Sequence, residues 1–347
     1  MKAYLERSGQ HPLSFRLSYN PFDQMREQPL LECLSGHSMR WKTVVIEGAS
    51  QFTLDYLERS KPSDYSSLRS LDFFHCQLDS FDTSLPPFPW SQLSRYHEYD
   101  VSWYRDRDSV DQWSQLTNVV DLRVAFDETF NGSRPIKMPR LRFASLAVSQ
   151  VDEMLSCFEF PGIQGLNLMF TTNQPPRTLR SVPAQLKGLR ILRLSGDLGV
   201  AIAKTALLCL LAELTELTDF AMALRDNHGV DATYLFTLLT PGHSLLVPRL
   251  QALRVVTSEP VGETIGTLLV MLRQRFGGVK GIGRLKRFEI FLGLRPIVFG
   301  KRLPKSYTPS AMSQSLDWLR VHEGWDIRVV EEWQGDFWSE EMDTEFL

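Results

Sequence analysis

One apolar frame recurs seven times along the chain, with hydrophobic residues at relative positions 0, 3, 6 and 8 and mostly polar residues between. The copies are Tyr65/Leu68/Leu71/Phe73, Leu116/Val119/Leu122/Val124, Phe160/Ile163/Leu166/Leu168, Leu186/Leu189/Leu192/Leu194, Leu214/Leu217/Phe220/Met222, Val247/Leu250/Leu253/Val255 and Ile282/Leu285/Phe288/Ile290. Two damaged copies fill the gaps, Trp90/Leu93/Tyr96 and Phe143/Leu146/Val148. With 43% hydrophobic residues, roughly 3% of random windows match such a frame, so a single copy carries little weight. The spacing carries it. Third positions of successive copies fall roughly 20 to 35 residues apart, the range of leucine-rich repeats.

Each frame ends as a strand. In Leu189 to Leu194, Leu192 and Leu194 point one way and Arg193 the other, because strand side chains alternate with period two. Between frames the pattern shifts to helical spacing, over Gln150 to Phe158, Val200 to Ala212, Asp231 to Leu239 and Gly262 to Phe276. The last places Ile265, Leu268, Leu269, Leu272 and Phe276 on one face. Parallel strands need such crossovers. The expected fold is therefore α/β: an irregular leucine-rich-repeat solenoid, or horseshoe, with a parallel sheet on its concave face and helices and loops on the convex face. Repeats touch only their neighbours, so one array spans 1–330 without dividing. Residues 1–60 form N-terminal units, with Pro12 to Leu17 and Trp41 to Ile46 as strands and Pro29 to Leu34 as a short helix. Residues 61–295 carry the main repeats. Residues 305–330 close the array with a helix over Ala311 to His322 and a strand over Trp325 to Val330. Residues 331–347 are an acidic, partly disordered tail.

Composition narrows the function classes. Net charge is −3 over 347 residues, which argues against a dedicated binder of nucleic acid or of an anionic membrane. The most apolar helix, Ala206 to Ala212, is too short to span a bilayer. Cys33, Cys76, Cys157 and Cys209 stand tens of residues apart and form neither a zinc motif nor a disulfide framework. They read as buried thiols in a reducing compartment, and the charged N-terminus is no secretory signal, so the chain is expected in the cytoplasm or nucleus. No cofactor or metal is expected.

Motifs with a chemical flavour have structural readings. His97-Glu98-Tyr99-Asp100 lies among Trp90, Trp103, Tyr104 and Trp113, but neighbours in an extended segment point to alternate sides, so it reads as an inter-repeat excursion with its tryptophans packed on the repeats. Gly277 to Gly283 has a helix before it and a strand after it, the reverse of a phosphate-cradling loop, and Gly277 reads as a helix stop. Arg273 to Lys305 holds ten Lys or Arg and one acid, Glu289, whereas seven acids and no base follow from Glu331 onward. That pair of features reads as a solvated face and a charged tail, or as a basic patch for an acidic segment. The residue between the third and fourth frame positions faces away from the core. It defines a concave row of Asp72, Arg123, Ala147, Asn167, Arg193, Ala221, Arg254 and Glu289, from which the partner-binding candidates are Asp72, Arg123, Asn167, Arg193, Arg254 and Glu289.

Tyr4-Leu5-Glu6-Arg7-Ser8-Gly9 with Pro12-Leu13-Ser14, His37 to Lys42 leading into a strand, and the Leu319 to Val329 block with Glu323-Gly324-Trp325-Asp326-Ile327 resemble the leucine-rich-repeat region of fungal F-box proteins. The likeness covers most of the chain through short, structural motifs. It implies repeats that present a substrate protein to an SCF-type ubiquitin ligase. No helical F-box led by Leu-Pro precedes Tyr4, so a cullin-ligase adaptor is a partner only if an F-box lies upstream. The expected function is a non-catalytic protein-interaction module. The alternatives are an F-box-less scaffold or inert paralogue and, further off, an α/β enzyme.

Overall fold

The frame has a simple backbone cause. In the computed structural model, residues 2–18, 27–48, 53, 56–57, 59, 61–74, 88–99, 113–126, 135–148, 155–170, 184–196, 204–224, 230–242, 246–257, 262–292 and 311–330 are described. The amide at the second frame position donates to the carbonyl at the first and closes one tight turn. Leu68 bonds Tyr65 at 3.0 Å, Leu189 bonds Leu186 at 3.0 Å, Leu217 bonds Leu214 at 3.2 Å and Leu250 bonds Val247 at 3.1 Å. The strand follows, and its alternation sends the third and fourth positions to one side. Ile282/Leu285 is the exception, since Leu285 donates instead to the Arg275 carbonyl at 3.0 Å.

The fold class is α/β, and the chain divides into two compact units, Met1–Ala147 with Glu153–Ile163, and Val148–Asp152 with Gln164–Leu347. The first holds β1 (Leu13–Ser18), β2 (Trp41–Glu47), β3 (Ser70–Phe74), β4 (Arg95–Tyr99), β5 (Asp121–Phe126) and β7 (Phe143–Val148), hydrogen-bonded in that order. Its β6 (Ile136–Lys137) and β8 (Phe158–Glu159) form a separate parallel pair. The second orders β9 (Gly165–Phe170), β10 (Ile191–Gly196), β11 (Asp219–Ala223), β12 (Ala252–Thr257), β13 (Arg287–Leu292) and β14 (Asp326–Val330), each parallel to the next. Six helices are described: α1 (Lys2–Arg7), α2 (Glu27–Ser35), α3 (Lys204–Glu213), α4 (Ala232–Leu239), α5 (Gly262–Gly277) and α6 (Ala311–Glu323). The last four lie in the crossovers from β10 to β14, as parallel pairing requires. No described helix is long and apolar enough to cross a membrane.

A second backbone bond locks each repeat to the next. The carbonyl just after the second frame position accepts two successive amides of the following repeat. Arg69 takes Ser94 and Arg95, Gln164 takes Arg190 and Ile191, Arg190 takes Thr218 and Asp219, Thr218 takes Gln251 and Ala252, and Gln251 takes Lys286 and Arg287. The frames consequently stack in register. In the second unit Leu166, Leu192, Phe220, Leu253, Phe288 and Ile327 form one row of third positions, and Leu168, Leu194, Met222, Val255, Ile290 and Val329 one row of fourth positions. In the first unit Val44, Leu71, Tyr96 and Leu122 align. Aromatic rings carry the stack there, edge to face from Phe15 to Trp41 at 5.1 Å, tilted on to Tyr65 at 5.3 Å, then edge to face to Phe88 at 5.0 Å and to Trp90 at 5.8 Å. Such pairs add about 0.5–1.5 kcal/mol each beyond their buried area.

Three expectations are corrected. The Phe143/Leu146/Val148 copy is out of step by two residues. The Leu141 amide bonds the Met138 carbonyl at 3.2 Å, and Phe143 bonds the Val120 carbonyl at 3.0 Å, so the true frame is Met138/Leu141/Ala144/Leu146 and its row residue is Ser145, not Ala147. The helix expected over Gln150 to Phe158 ends one residue sooner: Leu155–Cys157 are helical, Phe158 enters β8, and 150–154 lie outside the described residues. The segment around His97 is no excursion: Arg95–Tyr99 is β4, paired with β3 and β5. Trp90 and Trp113 are buried as expected, whereas Trp103, Tyr104 and the 331–347 tail lie outside the described residues.

Arg275 belongs to the core, not to a solvated basic face. It is 1% exposed and donates to the Leu239 carbonyl at 2.8 Å, Leu246 at 2.9 Å and Val247 at 3.2 Å. Burial lowers its pKa to about 10, so the guanidinium stays charged at neutral pH. Its carbonyl partners include both residues of a strained corner, for Val247 has φ +42°, an outlier for a β-branched residue. This clamp turns the buried stripe of α5 towards Leu268, Met271, Leu272 and Arg275, and leaves Ile265, Leu269 and Phe276 half-buried.

The stacked rows predict that Leu192→Ala, at a fully buried third position, costs about 2–5 kcal/mol in urea denaturation. Arg190→Ala, two residues earlier and exposed, stays within about 0.5 kcal/mol of wild type.

Candidate functional site

The strand face opposite the leucines carries the polar row, and the register brings its members together one per strand. In the first unit Asp72, His97 and Arg123 are aligned on β3, β4 and β5, with Ser70, Arg95 and Asp121 as the adjacent row on the same face. In the second unit Asn167, Arg193, Ala221, Arg254, Glu289 and Arg328 are aligned from β9 to β14. The row points as expected, but it is not an open surface. From Ala221 at 0% to Arg254 at 9% exposure, its members other than Arg123 and Arg328 are buried. The same face also holds an apolar cluster of Ala223, Val256 and Phe291 with Val330 packed against it. Parallel sheets with both faces covered are the usual case.

Buried charge needs a partner, and the row is built accordingly. Arg254 Nε donates to Glu289 Oε2 at 2.7 Å, and Arg328 Nη1 lies 3.7 Å from Glu289 Oε1, so cation, anion and cation alternate across three strands. Asn167 is the contrary case, because both polar atoms of its side chain are buried without a hydrogen-bond partner. Such an orphaned group costs about 1–3 kcal/mol.

The densest cluster surrounds His97. Arg95 Nε donates to His97 Nδ1 at 3.3 Å, and Arg95 Nη2 stands 3.4 Å from Asp72 Oδ2. An Nδ1 that accepts leaves the proton on Nε2, which stands 3.1 Å from Asp121 Oδ2, within ion-pair reach but off the line of a good hydrogen bond. Asp72 Oδ1 lies 3.3 Å from the same Nδ1 and has no hydrogen-bond partner. Protonation states follow from this geometry. Burial pushes the His97 pKa down against the pull of Asp121 and Asp72, so the imidazole is neutral. Burial also pushes the Asp72 carboxyl up, against His97, Arg95 and Arg123. Burial acts on Asp121 in the same upward sense, but its contact with the His97 imidazole and the charges of Arg123 and Arg95 outweigh it and hold that carboxyl below its ordinary value.

His97 thus converges with residues of other strands, while its sequence neighbour Glu98 points to the opposite face and accepts the Tyr96 hydroxyl. Sequence reasoning placed Asp72 and Arg123 in the row and missed His97, Arg95 and Asp121. The signal was present: position 97 follows the third frame position of the Trp90/Leu93/Tyr96 copy, and Glu98 at the fourth hid the frame. The side chains that the described contacts bring to the imidazole are Arg95, Asp72 and Asp121. Among the described residues no group of His, Cys, Asp and Glu could hold a metal ion. Of the cysteines, Cys157 is buried, Cys33 is half-buried and Cys209 is exposed, which corrects the expectation that all are buried; Cys76 lies outside the described residues. The glycine-rich segment has the expected order, α5 ending at Gly277, then a turn with Gly278 at φ +80°, then β13. No family model and no curated protein matches the chain.

A depressed His97 pKa means that the unfolded chain takes up a proton near pH 6.5 while the folded chain resists it. Stability is then fully present above the unfolded value and is lost as pH falls below it. Asp72 has the opposite sign, stabilising at low pH and losing that contribution as pH rises from 3.8 through its raised folded value. Comparison with His97→Gln isolates the imidazole: the melting temperature of wild type falls more between about pH 7.5 and 5.5 than that of the variant. Parallel pH profiles would refute a neutral, buried His97.

Proposed function

We propose that this chain is a leucine-rich-repeat-type solenoid that works as a non-catalytic protein-interaction module, similar to the substrate-recognition repeats of F-box proteins. The observation that carries the proposal is the in-register stacking of short parallel-strand repeats. Stacks of this kind offer extended surfaces to protein partners. The groups best suited to meet a partner on the strand face are the partly exposed charges at its margins, Arg95 and Asp121 with side chains 28% and 27% exposed and Arg328 at 65%. Arginine is favoured among residues that anchor interfaces. The ligase version of the proposal needs an F-box in the same polypeptide, and the scaffold version does not. A cytoplasmic or nuclear setting accompanies both.

The test is photo-crosslinking in native cells, with benzoylphenylalanine replacing Arg328 in one variant and Lys137, an exposed residue of the first unit, in another. The proposal expects the same protein to be captured repeatedly from the Arg328 position and not from Lys137. Recovery of cullin-adaptor components with it selects the ligase version. Identical background capture from both positions would count against the module altogether.

A further inference from the structure

A cavity of about 550 Å³ opens in the second unit beside the loops that lead into β10, β11, β12 and β13. That volume lies within the range of about 300–1,000 Å³ typical of ligand sites. The repeat ladder builds its length. Arg190, Thr218, Gln251 and Lys286 hold equivalent places in four consecutive repeats, each carbonyl bonded to the amide of the next, so they follow one another at roughly 4.8 Å intervals. Arg190, Thr218 and Gln251 line the cavity together with Glu216, Arg249 and Gly283. Glycine at 283 allows a close backbone approach: its amide bonds the Pro248 carbonyl at 2.5 Å, and a Cβ there would crowd that oxygen at 3.0 Å.

The charge around this groove is one-sided. Arg190, Arg249, Lys280, Arg284, Lys286 and Arg287 are all exposed. Arg249 pairs with Glu216, and Arg287 lies 3.6 Å from Asp326. The other four cations have no carboxylate partner among the described residues. Clustered cations in one concave place raise the local concentration of an anionic partner. Several features favour a carboxylate-bearing peptide. The unpaired cations sit at the two ends of the ladder, Arg190 three repeats before Lys280, Arg284 and Lys286, and do not converge on one point, as a single phosphate would need. Glu216 stands in the wall, where a peptide can place an uncharged residue and a backbone charged at every unit cannot. The half-buried Thr218 and Gln251 supply neutral hydrogen-bonding groups suited to peptide amides.

We infer that this groove binds an extended, acidic segment of a partner protein, with Arg190, Arg284 and Lys286 pairing its carboxylates. The site is separate from the strand face, and the inference stands or falls independently of the proposal made for that face. Fluorescence anisotropy on the full chain tests it, with a labelled peptide of alternating glutamate and serine as the probe. The comparison ligands are its glutamine counterpart and a single-stranded oligothymidylate of equal charge. Binding of the acidic peptide is expected to weaken at least about tenfold, or 1.4 kcal/mol, in Arg190→Glu/Lys286→Glu. It is expected to persist in Lys42→Glu/Arg140→Glu, which removes two exposed cations of the first unit. Four results would overturn the inference: no binding by wild type, equal binding by the groove variant, an equal loss in the remote variant, or tighter binding of the oligothymidylate. Circular dichroism of each variant confirms that the fold is retained, as the exposed positions lead one to expect.

Discussion

One carbonyl per repeat accepting two amides from the next is the interaction on which the rest of the molecule depends. It fixes where each strand begins, and therefore which residues of neighbouring repeats lie side by side. A strand slipped by one residue would turn every leucine to the opposite face. With the bond in place, Leu192 meets Leu166 on one side and Phe220 on the other, and each repeat buries the apolar edge of its neighbour. The turn that precedes each strand has the same logic. Its own hydrogen bond satisfies a backbone amide at the point where the chain swings into the sheet, and its two apolar residues close the end of the core.

Much of this was legible because the frame combines two periods, a three-residue turn and a two-residue strand, which few other local structures share. All seven intact copies end in strands, and the terminal strands at Leu13–Ser18 and Asp326–Val330 were visible from alternation alone. The misreadings have physical causes. Met138, Leu141, Ala144 and Leu146 are all apolar, but Ala144 is small, and Phe143 with Val148 drew the frame two residues along. Glu98 occupies a core position, where it accepts the Tyr96 hydroxyl, and so it concealed a repeat. Arg275 reads as one cation among many, because nothing in its neighbourhood in sequence announces three carbonyls supplied from residues 239 to 247.

The candidate site was legible in position and not in environment. Alternation tells which way Asp72, Asn167, Arg193, Arg254 and Glu289 point, but not that their face is covered. That information resides in contacts between residues far apart in sequence, as when Arg95, His97 and Asp121 gather around Asp72. Burial alters what such residues do. An exposed row of mixed charge is a ready interface, whereas a buried one is first a set of electrostatic obligations, met by Arg254 with Glu289 and left open at Asn167. Under the proposed function, contact with a partner falls to the margins of the face, and the inferred acidic segment to the exposed cations beside the groove.

The account rests on side chains of adjacent repeats sharing one core, and coupling between them tests this most directly. A double-mutant cycle by urea denaturation, with Leu192→Ala and Phe220→Leu in neighbouring strands, should give an interaction energy between about 0.5 and 3 kcal/mol. The same Leu192→Ala combined with Phe288→Leu, three strands away in the same unit, should be additive within about 0.5 kcal/mol. Additivity for the neighbouring pair, or equal coupling for both pairs, would contradict a core built repeat upon repeat.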